Sequence, residues 1–400
     1  MGSVATPSNS AVNYFPVMAG STTYNATESN VLMIMPTAGT ISGLKVLLDG
    51  APGAGKSYTF VLMVDSVASA LSVAISGTNV RGTSPASVAV TAGQTLSIRC
   101  TPAGTPDSVK AAQTMVFTGT TANESVLMGS AAALHVTNTE YAGVMVGSLS
   151  PSTIETGRQG VCAGAGTLSD FYVSLSADPG NSPEAYRLTL RLNGASQTLT
   201  VTITADSTTG NDTANSVAVV AGDLINILIE PLNSPTVAPV PAWGMVFTAT
   251  TDGQSLHPCA AGNDIHDTDD RIADVVGGTV WLNVAAGTLE ALAQNCKFTA
   301  LYIDLETAPG LAASGDSHAF TIQNNGATGN LTVTILETAT TGNDTANEDI
   351  LGDFSLPRIH VSPTSLPTRG LARWGFLQEE FVPPVIAGNL LSKMVAAGFI

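Results

Sequence analysis

Apolar and polar residues alternate at period two over much of the chain. Tyr186, Leu188, Leu190 and Leu192 face one way while Arg187, Thr189 and Arg191 face the other, and Leu199, Val201 and Ile203 alternate with Thr200, Thr202 and Thr204. That period belongs to half-buried strands. Tyr58, Phe60, Leu62 and Val64 repeat it earlier in the chain. Turn clusters separate the runs, among them Asp178-Pro179-Gly180, Asn193-Gly194 and Gly210-Asn211-Asp212, and such residues reverse antiparallel chains. Few stretches carry a 3.6-residue period, and no strand-helix-strand alternation appears. The pattern predicts an all-β protein of antiparallel sandwich or jelly-roll type.

The pattern also repeats. GTISGLKVLLDGAPGAGKSYTFVLMV from Gly39 is matched by GTLSDFYVSLSADPGNSPEAYRLTLRL from Gly166 and by CKFTALYIDLETAPGLAASGDSHAFTI from Cys296, with Pro52, Pro179 and Pro309 at one position. TTGNDTAN occurs from Thr208 and from Thr340, Ala92-Gly93 matches Ala221-Gly222, and the closing strand MVFT from Met115 recurs from Met245. Trp243-Gly244 recurs as Trp374-Gly375. A period of about 130 residues is too long for a solenoid, so each copy is expected to hold its own core. The predicted organisation is three tandem β-sandwich repeats of about eight strands, spanning residues 1–124, 125–254 and 255–380, followed by an apolar tail at 381–400.

Composition narrows the function. Fourteen basic against 31 acidic side chains give a net charge of −17, and only 11% of residues are charged. Without basic clusters the chain lacks the cations that a phosphate backbone requires, so nucleic acid is not an expected partner. The first thirty residues show no secretory signal pattern, which predicts a cytosolic origin. The tract from Val385 to Ile400 is too short and too polar for a membrane span. N-x-S/T triplets begin at Asn25, Asn123, Asn211, Asn330 and Asn343, a consequence of Thr-rich composition. Cys100, Cys162, Cys259 and Cys296 show no metal-binding spacing, and disulfides are not required.

Candidate chemistry is sparse. Residues 50–57, GAPGAGKS, fit a phosphate-loop pattern through Gly50, Gly55, Lys56 and Ser57, but a phosphate loop opens a helix. Here a strand pattern follows and the other copies lack Gly-Lys-Ser, so the match reads as a hairpin turn with no nucleotide. Asp264, Asp267, Asp269 and Asp270 form the densest acidic stretch, a weak calcium candidate without EF-hand spacing; a solvated loop is the favoured reading. The five histidines share no motif, and His318 takes the place of Tyr58 and Tyr186 as an aromatic-sized strand residue. Trp243 and Trp374 read as packing anchors rather than sugar platforms. No nucleophile elbow, zinc helix or poised carboxylate pair is legible, and Glu379-Glu380 does not form one. The sequence predicts no enzyme and no cofactor. In the tail, Leu390, Leu391, Met394 and Val395 fall on one helical stripe, with Phe399 and Ile400 beyond, and apolar surface of this kind suits assembly.

The phrases G-T-[IL]-S-x-[LF]-x-V, A-P-G-x-G-K-S-Y-T-F, L-x-V-x-I-S-G-T and V-V-A-G-D-x-[IL] resemble a module of structural proteins in tailed bacteriophages. The resemblance covers most of all three copies, although copy three departs after Asn347. It implies a virion-surface component, such as a capsid decoration, head fibre or tail-associated protein, assembled in the host cytoplasm. The implied partners are other virion proteins and copies of itself, as a trimer or another homo-oligomer. A carbohydrate-binding adhesin or tail receptor-binding protein of the same architecture is the alternative reading, and a depolymerase with carboxylates between subunits is a third.

Overall fold

The structure, a computed structural model, describes residues 2–18, 20–21, 24–145, 150–276, 280–284 and 294–381. Its first third supplies β1 (Gly2–Ala5), β2 (Asn13–Phe15), β3 (Gly20–Ser21), β4 (Met33–Ile34), β5 (Gly39–Leu48), β6 (Gly53–Val64), β7 (Val67–Gly77), β8 (Arg81–Thr83), β9 (Ser87–Val90), β10 (Thr95–Ala103) and β11 (Ala111–Gly119). These form one sheet in the order β3-β1-β11-β5-β8, with β9 also on β5, and a second in the order β2-β10-β6-β7, with β4 also on β10.

The middle third supplies β12 (Glu124–Ser130), β13 (Glu140–Ala142), β14 (Gly160–Val161), β15 (Gly166–Leu175), β16 (Ala185–Leu192), β17 (Ala195–Thr204), β18 (Thr209–Val219), β19 (Leu224–Leu232) and β20 (Pro241–Ala249). Its sheets run β12-β20-β15-β18 and β13-β19-β16-β17, with β14 on β19. The last third supplies β21 (Gln254–Ala260), β22 (Arg271–Asp274), β23 (Leu282–Asn283), β24 (Cys296–Leu305), β25 (Ser317–Asn324), β26 (Ala327–Leu336), β27 (Thr341–Leu351), β28 (Pro357–Thr364) and β29 (Ala372–Glu380). Its sheets run β21-β29-β24-β27 and β23-β22-β28-β25-β26. The protein is all-β, and its sheets are antiparallel apart from the parallel pairing of β1 with β3.

Among the described residues each sheet draws its strands from one third of the chain. Every third opens with a strand that pairs with its own last one, β1 on β11, β12 on β20 and β21 on β29. Residues 120–123 and 250–253 therefore form the joints, and Glu124 and Gln254 already begin the following strands.

The period-two faces lie where alternation places them. Leu199, Val201 and Ile203 on β17 are buried while Thr202 and Thr204 are exposed, and Leu71, Val73, Ile75 on β7 and Leu331, Val333, Ile335 on β26 repeat the arrangement. Burying each such side chain contributes about 1.5–3 kcal/mol. The buried faces belong to one continuous apolar core.

The repeated TTGNDTAN octapeptide has a local structural cause. The buried Asp212 carboxylate accepts hydrogen bonds from the backbone N–H groups of Thr200, Ala214 and Asn215 and from the Asn215 amide. Asp344 is held the same way by Thr332, Ala346 and Asn347. These bonds sit where the ladder to β15 or β24 shifts register, and they keep β18 and β27 continuous. In the first third Ser84-Pro85 occupies that point, a proline cannot donate to a ladder, and the strand breaks into β8 and β9.

The phosphate-loop match is not a hairpin turn within one sheet. It lies on the crossing from β5 to β6, which belong to different sheets, and residues from Gly53 onward are already strand. Lys56 donates to Asp107 at 2.6 Å.

Candidate assembly interface

Successive thirds of the chain meet through their backbones. Strand β4 of the first third lies against β20, and a Cβ placed on Gly244 would collide with the carbonyl oxygen of Ile34 and approach Pro36 Cδ at 3.0 Å. Strand β14 of the second third lies against β29 in the same way, where a Cβ on Gly375 would collide with the carbonyl oxygen of Val161. Only glycine admits such an approach. The tryptophan preceding each glycine is fully buried, and its indole N–H donates to a backbone carbonyl, Trp243 to Val144 at 2.9 Å and Trp374 to Val275 at 3.0 Å. The Trp-Gly pair thus combines an anchor inside one third with a seat for the preceding one.

Polar contacts complete both joints. Thr37 donates to Glu124 at 3.1 Å across the first, and Gly93 lies beside the Tyr172 ring. Across the second, Thr156 donates to Glu306 at 2.7 Å, Arg373 donates to the Thr156 carbonyl at 3.0 Å, and Arg373 also pairs with Asp304. Where the thirds converge a cavity of about 600 Å³ is lined by Lys45, Asn123, Glu124, Asp252, Gln378 and Glu380, among others. A smaller one of about 90 Å³ adjoins it. His257 borders the smaller cavity, buried and stacked on Phe376 with ring centres 4.8 Å apart, and burial lowers its pKa to about 3.

The acidic stretch does not converge on a point. Asp267 accepts from Arg369 at 2.7 Å, Asp269 pairs with Arg271 at 3.3 Å, Asp270 accepts from Ser362 at 2.7 Å, and Asp264 is exposed. Among the described residues no three His, Cys, Asp or Glu side chains come together as metal ligands.

Two of the five histidines, His135 and His266, do share a local motif, contrary to the sequence reading. His266 Nδ1 accepts from the backbone N–H groups of Thr268 and Asp269 at 3.2 and 3.0 Å, and His135 Nδ1 accepts from those of Thr137 and Asn138, both at 3.1 Å. Both histidines cap equivalent turns, a role hidden because the surrounding letters differ.

His318 occupies the tyrosine position and does a tyrosine's work. Tyr58 donates to the Asp107 carbonyl at 3.0 Å, Tyr186 to that of Val237 at 2.8 Å, and His318 Nε2 lies 3.1 Å from that of Thr368. The four cysteines are buried free thiols. Glu379 pairs with Lys297 at 2.9 Å. The tail residues Leu390, Leu391, Met394, Val395, Phe399 and Ile400 lie outside the described residues. Comparison with protein-family models and with curated protein sequences finds no match.

Proposed function

We propose that the chain is a non-enzymatic structural component of a bacteriophage virion, a capsid-surface decoration or fibre built from three tandem jelly-roll-like β-sandwiches. The observation that carries the reading is the docking at Gly244 and Gly375, where backbone packs on backbone at equivalent positions of two joints. Such contacts fix neighbouring units rather than let them hinge, which suits a static scaffold. The resemblance of the repeat phrases to a module of phage structural proteins supplies the virion context. Its partners in this reading are other virion proteins and further copies of the chain, bound through protein surfaces and through the apolar residues of 385–400.

Co-sedimentation of the purified full-length chain with virions that lack it tests the proposal. Saturable binding, weakened by deleting residues 385–400, is expected. Absence of binding together with specific retention on a glycan array would overturn it in favour of a carbohydrate-binding adhesin.

A further inference from the structure

We infer that the three repeats close into a ring within one chain, so that a single polypeptide takes the place of a homotrimer. The inference rests on reading the chain as three copies of one unit. It turns on one reversed pair of residues. The turn Thr91-Ala92-Gly93-Gln94 corresponds to Val220-Ala221-Gly222-Asp223 and to Gly352-Asp353-Phe354-Ser355. In each, the fourth residue's N–H donates to the first residue's carbonyl and its side chain accepts from the first residue's N–H. The third position has a positive φ in all three, +85° at Gly93, +93° at Gly222 and +58° at Phe354.

A phenylalanine there is strained where glycine is free, so its ring must serve a purpose. That purpose is contact with the first repeat. The Phe354 ring lies 5.4 Å from Lys45 Nζ and 5.8 Å from the Arg81 guanidinium, a cation–π arrangement, and Asp353 forms an ion pair with Lys45. Leu356 packs against the buried Val4–Ala112 cluster of the first repeat.

Lys45 holds the strand position of Tyr172 and Tyr302. The same turn therefore meets the same acceptor position at two contacts: Gly93 against Tyr172 from the first repeat to the second, and Phe354 against Lys45 from the third back to the first. Glycine faces tyrosine in one case and phenylalanine faces lysine in the other. The exchange makes the closing contact chemically distinct from the contact between repeats one and two, so repeat three recognises repeat one. It also gives a role to Asp353, Phe354 and Leu356, which lie in the segment where copy three departs from the other two.

Zero-length carbodiimide cross-linking of the full-length chain, mixed from ¹⁴N and ¹⁵N protein, reads this contact directly. A Lys45–Asp353 amide found only within chains of one isotope is expected, with the Lys56–Asp107 ion pair as an internal control. In Phe354→Gly the Lys45–Asp353 yield should fall by about five-fold while the control link stays constant. Isotopically mixed links, or no Lys45–Asp353 link where the control link forms, would overturn the closed ring, as would an unchanged yield in Phe354→Gly. Small-angle scattering gives a second reading, since a closed chain of this length has a radius of gyration of about 21 Å. A value of roughly 30 Å or more would indicate an open array. Neither readout depends on virion binding, so failure of the ring and failure of the virion reading are distinguishable.

Discussion

Asp212 and Asp344 show how one residue stabilises a repeat. Burial alone would raise their pKa, but the backbone N–H of Thr200 or Thr332, the Asn215 or Asn347 amide, and the N–H groups of the turn outweigh it and hold both carboxyls below the usual range. A depressed carboxylate stabilises the fold above its unfolded pKa of about 4 and loses that contribution as pH falls through the folded value. His257 acts in the same direction. Its folded pKa of about 3 lies below its ordinary value, so the unfolded chain takes up a proton first and stability declines as pH drops below about 6.5. Thermal melts from about pH 8 to about pH 2 should show falling Tm, with His257→Phe flattening the upper part of that decline and leaving the lower part. Asp212→Ala should cost about 2–3 kcal/mol in denaturant unfolding, because it orphans several donors at once.

The cysteines give a further check on burial. Desolvation pushes the Cys100 and Cys162 thiols well above their ordinary pKa and that of Cys296 up to about 12. A thiol-reactive disulfide reagent should label none of the four in the native protein and all four after unfolding.

Among the elements, strands and their faces were legible because alternation is a local signal and Thr and Val occupy the half-buried pleats. The sheet crossing at residues 50–57 was not, since a turn cluster looks alike whether it reverses within a sheet or carries the chain to a second one. The His135 and His266 caps were not legible because ring nitrogens bonded to backbone leave no trace in neighbouring letters. Trp243-Gly244 and Trp374-Gly375 were visible as a repeated pair, yet only geometry shows why glycine follows tryptophan. At the equivalent place the first repeat carries Gln113-Thr114 instead. Gly375→Ala should therefore cost about 1–3 kcal/mol through overpacking against Val161. Calorimetry should show it as a lowered or split transition, whereas alanine at the exposed Gly194 would act only on its own turn.

For the whole molecule, the repeat period indicated how many units to expect but not how they meet. Contacts between units bring together residues far apart in the chain, such as Lys45 and Asp353, and no spacing rule links them. Copy three's departure from the common pattern was legible as a difference, and three of its residues, Asp353, Phe354 and Leu356, meet the first repeat. The scarcity of charge, 11% of residues, agrees with the proposed reading of a body that acts through contact.

The central claim is that this chain is part of a particle. Isotope-dilution mass spectrometry of virions banded to purity from the producing host measures it directly. The account predicts many copies of the chain per particle at a fixed ratio to the major capsid protein, and particles that contain none would contradict it.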